Sequence, residues 1–301
     1  METQTGYQVN KKENFYFVIK LVVSVIFYGI LLKYIISGFF DFNPANIVLY
    51  GIMGYVALIL LLLFFRLGVI LGYIRGNAVK VSSKQFPDIY QTVEKQSAML
   101  ELKNIPTVYI LQSGGLLNAY AMRFAGNNYI VLYSEIVESA YEQDKSILDF
   151  IIGHELGHIK RKHMLKNLLL FPGNIIPFLG LAYSRACEYT CDAIGHCVAP
   201  SGLQGGLLIL ASGRSIYKRV NVSEYLLQAQ SGGGFWKWFA EKASTHPNLS
   251  KRLAVYESEL ILNQTVRKPI VNQHETMQPT SVADDLKAEE KVDDHLKYMP
   301  K

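Results

Sequence analysis

The amino-acid sequence predicts an α+β fold in which two N-terminal transmembrane helices precede a mostly helical domain with a small antiparallel sheet. Half of the 301 residues are hydrophobic, and the apolar surplus is concentrated near the N-terminus. From about residue 76 the composition becomes that of a globular domain. The predicted elements of this domain follow the order helix, strands, helices, which is typical of α+β folds.

Two apolar stretches predict the membrane helices. Residues 15–40 are almost wholly apolar and are interrupted by Lys20 and Lys33, whose amines we expect to reach the membrane surfaces. Residues 46–65 carry no charge over a length that matches a hydrocarbon core of about 30 Å. No small-residue cleavage site follows the first stretch, which argues against a signal peptide. The alternative is a buried hairpin in a soluble core, which the length and purity of both runs disfavour.

Positive charges predict the orientation of this hairpin. Cations precede the first stretch and follow the second, and they are Lys11, Lys12, Arg66, Arg75, Lys80 and Lys84. The linker 41–45 carries only Asp41, so the positive-inside rule places both termini in the cytoplasm. We therefore expect a cytoplasmic segment 1–14, a transmembrane hairpin 15–74 and a cytoplasmic domain, in a two-span protein of the cell inner or plasma membrane.

The cysteine content fits that location. Cys187, Cys191 and Cys197 are odd in number and clustered, so they do not form a disulfide framework and indicate a reducing compartment. Cys187 and Cys191 share one helix face, which we interpret as a set of small core residues rather than a metal site. A formal net charge of +5 is too small to indicate a nucleic-acid partner.

The globular domain is predicted to span residues 76–265. An amphipathic helix, a β-branched strand and a hairpin around the turn-rich "AGNN" precede a series of helices. The predicted ranges are helix 86–102, strand 107–112, β-hairpin 116–133, and helices 134–143, 145–163 and about 184–197. Residues 266–301 have acidic pairs and few large apolar side chains, which predicts a disordered tail.

The segment "HELGH" interrupts the apolar pattern of helix 145–163. His154 and His158 lie a turn apart on one helix face. Two imidazoles so placed can bind one Zn²⁺ at about 2.0–2.1 Å each, with Glu155 available as a general base. The alternative is a pair of histidines satisfied by hydrogen bonds inside a core helix, and the pentapeptide alone leaves both interpretations open.

A catalytic zinc needs a third protein ligand and one open position. The helix near 184–197 offers Glu188 and Asp192, again at positions i and i+4. Glu188 can ligate zinc, and Asp192 can accept the free ring N–H of a ligand histidine. An exposed acidic face is the alternative, but the surrounding residues have the character of a buried face, where carboxylates need partners.

Four motifs, taken in order, resemble the HtpX-like and CAAX-prenyl-protease-like membrane zinc metallopeptidases, which are gluzincins. The resemblance covers roughly residues 80–260. The motifs are Asn118, Ala119, Tyr120 and Ala121 as N-A-aromatic-A; His154 to His163 as "HELGHIKRKH"; Ser184, Arg185, Glu188 and Asp192 as S-R-x-x-E-x-x-x-D; and Thr245, His246 and Pro247 as T-H-P, followed by Arg252. Together they are far more specific than any one of them.

The resemblance implies a zincin-type domain with one Zn²⁺ per chain. It implies that His154, His158 and Glu188 are the zinc ligands, that Glu155 is the general base and that His246 stabilises the oxyanion. For His246 the alternative is a helix-terminal residue ahead of Pro247.

Several neighbours of these residues are expected to assist them. Arg252 is expected either to pair with Asp192 or Glu188 beside the ligands, or to face solvent. His163 and His196 are expected near the ligands or at the surface. An extended peptide substrate is expected against an edge strand at 128–133, with Asn118, Ala119 and Tyr120 as candidate contacts.

One departure from the larger members of this family concerns residues 167–183. Those members carry extra membrane spans before the third ligand, whereas this stretch is too short for two spans and contains Pro172, Gly173 and Pro177. We expect an αα-hairpin corner that packs in the domain or touches the bilayer surface. The glycine-rich and aromatic segment 230–239 is expected to be a lid or an interfacial anchor.

The resulting functional expectation is a membrane-anchored zinc metalloendopeptidase. Its partners would be polypeptide substrates and the lipid bilayer, and unfolded or membrane-associated proteins would suit a role in quality control. The alternative is a non-catalytic, membrane-anchored zinc-binding scaffold or assembly factor. The presence of Glu155 argues against that alternative, because a structural site needs no general base.

Overall fold

Two long apolar helices open the chain in the computed structural model, which describes residues 6–40, 44–230 and 234–256. Helices α1 (Lys11–Phe40) and α2 (Pro44–Asn77) are each long and apolar enough to cross a membrane. Only 11% of either candidate span is buried, so neither is the core helix of a soluble domain. The two predicted apolar helices are confirmed, although both extend into their charged flanks, and their insertion in a membrane stays a prediction.

Lys20 corrects one detail of that prediction. Its side chain is 1% exposed, and Nζ donates a hydrogen bond to Oδ1 of Asn167 at 3.2 Å. The amine also lies 5.0 Å from the centre of the Tyr183 ring. Lys20 therefore faces the globular domain instead of reaching a membrane surface, because the first half of α1 packs against that domain.

The domain behind the hairpin is mostly helical, as predicted. Its helices are α3 (Pro87–Met99), α4 (Ser134–Glu142), α5 (Lys145–Lys160), α6 (His163–Leu169), α7 (Leu179–Val198), α8 (Leu203–Ser212), α9 (Val222–Gln230), α10 (Gly234–Ala243) and α11 (Leu249–Ala254). Short 3₁₀ turns occupy Phe171–Ile175, Pro200–Gly202 and Tyr217–Arg219. The predicted tail, 266–301, and the predicted end of the domain at 265 lie outside the described residues.

The sheet is mixed, whereas the sequence predicted an antiparallel one. Strands β1 (Val79–Lys80), β2 (Thr107–Leu111), β3 (Ala119–Phe124) and β4 (Asn127–Tyr133) lie in the order β1-β2-β4-β3. Strands β3 and β4 form the expected antiparallel hairpin, but β4 inserts beside β2 and runs parallel to it. The loop after β2 permits this order because it carries the chain past the position of β4 before β3 begins.

The strand order also moves the open edge of the sheet. The predicted edge, 128–133, is central, and four consecutive residues of β4 from Tyr129 to Leu132 are buried. Such continuous burial is typical of a strand covered on both faces. On one face lies the main core, and on the other lie Leu71 and Ile74 of α2. The edge next to α5 is therefore β3.

The chain turns sharply twice around α6. Helix α5 ends at Lys160, three residues earlier than predicted, and Lys162 adopts a left-handed conformation with φ of 55°. This turn brings His163 back toward α5. The 3₁₀ turn Phe171–Ile175 then reverses the chain into α7, which begins five residues earlier than predicted. Residues 163–178 thus form the expected corner, and we call them the corner segment.

Candidate metal centre

The helices α5 and α7 approach unusually closely where the candidate ligands lie. Two glycines of α5, Gly153 and Gly157, make this possible. A Cβ at Gly157 would lie 3.2 Å from Cα of Cys191, and one at Gly153 would lie 3.1 Å from Cα of Gly195. The absence of side chains at these two positions lets α7 bring Glu188 opposite the histidines of α5.

Three side chains converge between these helices. Nε2 of His154 lies 3.4 Å from Oε2 of Glu188, and Nε2 of His158 lies 3.4 Å from Oε1 of the same carboxylate. Glu188 is 5% exposed and His154 is 8% exposed. Hydrogen bonds to both histidines overcome burial and hold the pKa of Glu188 well below its usual range. An ionised carboxylate therefore faces two imidazole nitrogens.

This arrangement fits a tetrahedral zinc ion. Ligand atoms at about 2.0–2.1 Å from a tetrahedral ion are separated by about 3.3–3.4 Å. The two nitrogen–oxygen distances of 3.4 Å, which end on different oxygens of Glu188, are close to that separation. Two imidazoles and one carboxylate are also a donor set that catalytic zinc takes, with a fourth position left for a reactant.

Cys191 offers a competing third ligand, because its sulfur lies near the same two histidines. Its Sγ lies 3.6 Å from Nδ1 of His163, which in turn contacts Nδ1 of His158. The thiol thus lies on the Nδ1 side of the His158 ring, away from Nε2, which faces Glu188. Burial raises the pKa of Cys191 well above its ordinary value, which disfavours the thiolate that a metal requires. The geometry favours Glu188.

Asp192 and Arg252 lie directly behind His154. Nδ1 of His154 is 3.0 Å from Oδ1 of Asp192, so its N–H donates to the carboxylate and Nε2 is left for the metal. Arg252 donates from Nε and NH2 to both oxygens of Asp192, at 2.7 and 2.6 Å, and its NH1 lies 3.2 Å from Glu188. Burial would lower the pKa of His154, but Asp192 and Glu188 outweigh it and raise this pKa to about 10. A zinc ion would therefore have to displace the Nε2 proton that faces Glu188 before His154 could bind it.

A longer chain of contacts lies behind His158. Nδ1 of His158 is 3.1 Å from Nδ1 of His163, and Nε2 of His163 is 3.2 Å from Oε1 of Glu13. Arg161 donates to the same Glu13 oxygen at 2.8 Å. Burial lowers the pKa of His163 to about 4, so its ring is neutral. A neutral ring that donates to Glu13 must accept the Nδ1–H of His158, which leaves Nε2 of His158 for the metal.

The general-base candidate shares a cavity with two of the candidate ligands. Glu155 is 7% exposed and lines a cavity of about 100 Å³ together with His154 and Glu188. Asn118 and Ala119, at the start of the edge strand β3, line the same cavity. Tyr120 does not line this cavity, because alternate strand residues face opposite sides and its ring packs against Tyr133 on the other face.

His246 lies beside the carboxylate of Glu188, on its solvent-exposed side. Its side chain is 63% exposed, and Nε2 lies 3.7 Å from Oε1 of Glu188. Arg185 fixes the loop that carries it, because NH1 donates to the carbonyl oxygens of Lys242 and Ser244 at 2.7 Å each. The arginine of the S-R-x-x-E motif thus links the third-ligand helix to the T-H-P segment.

Other residues singled out in the sequence lie further away. The ring of His196 contacts that of Tyr256, with centroids 5.0 Å apart. Glu13 lies in no motif, and its role was not predicted; Arg161 and Arg185 lie within motifs, but no role was predicted for either. The spacing of Gly153 and Gly157 around the histidines was a readable sign of close helix packing.

Comparisons with known proteins relate part of this chain to membrane-associated peptidases. Residues 83–173 match the model of Peptidase family M48. A CAAX prenyl protease 1 homolog of Dictyostelium discoideum is 36% identical over 76 residues, which are 24% of this chain and 17% of that protein. A Protease HtpX homolog of Gemmatimonas aurantiaca is 27% identical over 228 residues, which are 60% of this chain and 79% of that protein. No solved structure matches this chain significantly.

Proposed function

We propose that this chain is a member of peptidase family M48 and a membrane-anchored zinc endopeptidase whose site is built by α5 and α7. The observation that carries the proposal is the convergence of His154 and His158 on the carboxylate of Glu188, beside a cavity that His154, Glu188 and Glu155 line. The matched family region ends before Glu188, so the role of this residue as third ligand rests on its geometry.

Each side chain of the site has a distinct task in peptide hydrolysis. Zinc, when bound, supplies Lewis acidity that activates water and polarises a carbonyl. Glu155 accepts the proton of the attacking water and passes it to the leaving amine. The Nε2 nitrogen of His246 lies on the open side of Glu188, where it can donate a hydrogen bond to an oxyanion.

The edge strand β3 is suited to hold the peptide. Ala119 begins this strand and lines the cavity, and the strand is paired on one side only, with β4. A peptide added in an extended conformation gains backbone hydrogen bonds independently of its sequence. That mode of binding favours unfolded segments, which fits a role in the quality control of membrane-associated proteins.

The positive-inside rule places the site in the cytoplasm, on the same side as both termini. Labelling of single cysteines introduced at Asn43 and Ser281 tests this orientation. We expect an impermeant thiol reagent to modify position 43, but not position 281, in intact cells. Labelling of position 281 from outside would refute it.

The peptidase proposal is tested by Glu155→Gln. The substitution is nearly isosteric and leaves all three proposed ligands in place, so zinc content and the melting curve should match those of the wild type. Removal of proton transfer should lower the cleavage rate by about 10²–10⁴-fold. The measurement is cleavage of an unfolded reporter such as casein by purified protein in detergent. Glu142→Gln, at an exposed position of α4, is the matched control and should retain full activity.

The two possible failures have different meanings. Wild-type cleavage by a zinc-replete Glu155→Gln protein would show that Glu155 is not the base. Absence of cleavage by zinc-replete wild-type protein would instead favour a non-catalytic scaffold.

A further inference from the structure

An exposed apolar surface connects the corner segment with α10. The large side chains of the corner project outward, with Phe171 67% and Ile175 65% exposed. On α10, Trp236 and Trp238 are 77% and 54% exposed. These four residues, together with Leu168 and Phe178, are called the aromatic face. A contiguous exposed patch of this kind usually marks an interaction surface.

Ring contacts join the two halves of this surface. Phe178 of the corner packs edge-on against Phe239 of α10, with centroids 6.2 Å apart. Phe239 in turn stacks on Phe235 at 5.7 Å, and Phe235 contacts Trp238 at 6.0 Å. The corner and α10 therefore present one surface, not two separate ones.

The corner segment is attached to α1 well inside its membrane span. The hydroxyl of Tyr28 donates to the carbonyl oxygen of Leu169 at 2.9 Å, and the N–H of Gly173 donates to Oγ of Ser24 at 3.1 Å. At about 1.5 Å per residue, Tyr28 lies about 18 Å along the helix axis from Phe40, where α1 ends. Because the hydrocarbon core is about 30 Å thick, Tyr28 lies within it, and so does the level of Leu169.

We propose that the aromatic face inserts into the cytoplasmic leaflet of the bilayer, as a second membrane attachment besides the transmembrane hairpin. Its ligand is the boundary between lipid headgroups and acyl chains. Tryptophan and phenylalanine are enriched at this depth because their rings are apolar and the indole N–H can still reach water or headgroups. The sequence runs from Lys162, just before α6, and Lys166 to Leu168 and Leu169 at its end, an order that suits entry from water into lipid.

The hydrogen bonds between the corner segment and α1 favour lipid as the partner of the aromatic face. They hold the corner segment beside the part of α1 that lies at the depth of the lipid acyl chains. The remainder of the chain is a poor cover for this face. Its segment 283–301 is rich in acidic pairs and lysines and has few large apolar side chains. A second copy of the chain would shield the tryptophans from both lipid and acrylamide, so quenching distinguishes it from insertion.

The tryptophans provide an unusually clean probe. The chain contains two, and both lie on α10, so the intrinsic tryptophan emission of the wild type reports this helix alone. The full chain is reconstituted into phosphatidylcholine vesicles with and without brominated acyl chains. We expect brominated lipid to reduce the emission at least twofold and acrylamide to quench it poorly. Trp236→Phe and Trp238→Phe resolve the two positions.

A control probe distinguishes insertion of this face from general proximity to lipid. Met99→Trp, in a background with both native tryptophans changed to Phe, places the probe at an exposed position at the end of α3, which packs on α5. It should be quenched by acrylamide and not by brominated lipid. Equal lipid quenching at all three positions, or acrylamide-accessible and lipid-insensitive emission from α10, would overturn the proposal. Emission shielded from both quenchers would assign the face to a protein partner and would also overturn it.

Discussion

The two candidate histidine ligands are supported by different parts of the molecule. His154 is held by Asp192, which comes from the neighbouring helix α7 and is neutralised by Arg252. His158 is held by His163, which is held by Glu13 from the first turn of α1 and neutralised by Arg161. Both supports end in a carboxylate paired with arginine, but one lies within the domain and the other extends to the membrane hairpin.

The difference indicates how α1, a candidate membrane span, contributes to the candidate metal site. Asp192 acts on its ligand through one hydrogen bond and is wholly buried. Glu13 acts through an intervening ring, and only correct docking of α1 on the domain brings it there. Support of His154 should therefore depend on the fold of the domain, whereas support of His158 should also depend on the docking of α1.

Loss of the Asp192 carboxylate should have the largest effect. Asp192→Asn weakens the acceptor for His154 and leaves Arg252 buried with only Glu188 as a charged partner among the described residues. We expect zinc affinity to fall about 10–100-fold. Breaking the buried ion pair should also lower the free energy of unfolding by about 3–5 kcal/mol. Chelator competition and thermal melting in detergent measure the two quantities.

A surface carboxylate provides the control for that substitution. Asp88→Asn removes the ion pair between Asp88 and Lys145, whose side chains are 35% and 47% exposed. The free energy of unfolding should fall by less than about 1 kcal/mol, and the zinc affinity should not change. Equal effects of the two variants would mean that Asp192 does not support a ligand.

Replacement of Glu13 should have a smaller effect on the metal. Glu13→Gln keeps the shape of the side chain but removes the charge that His163 and Arg161 share. Since Glu13 acts on His158 through His163, we expect zinc affinity to fall about tenfold or less. Chelator competition again measures it, with Glu101→Gln as control because Glu101 is exposed and pairs with Lys160 at 3.7 Å. Unchanged zinc affinity in Glu13→Gln would show that Glu13 of α1 does not support the candidate metal site.

The parts of the site that the sequence predicted share a physical cause. His154, Glu155, His158, Glu188 and Asp192 lie on two helices, and helical spacing fixes which of them share a face. The apolar neighbours of these residues then indicated which face is buried. Two apolar runs likewise predicted the membrane helices, because a span is defined by its own length and composition.

The parts that the sequence did not predict depend on contacts between distant segments. Nothing near Glu13 shows that it meets His163, because that contact joins residues 150 positions apart. The parallel pairing of β2 with β4 was missed for the same reason, since the hairpin alone predicts only its own antiparallel pair. The burial of Lys20 follows from the packing of α1 on the corner, which hydropathy does not encode.

Removal of Cys191 should have the smallest effect, and it tests the position of the metal between the two supports. Cys191 contacts His163, which supports His158. The thiol contributes no charge to that support. Cys191→Ala deletes one buried sulfur and adds no polar group. We expect a loss of roughly 1 kcal/mol in the free energy of unfolding from the small cavity, and an unchanged zinc content.

Glu188→Ala is the matched comparison and should lose zinc and activity. If Cys191→Ala lost the metal while Glu188→Ala kept it, the ion would lie on the Nδ1 side of the histidines, and the two supports would have to be reinterpreted as its ligands.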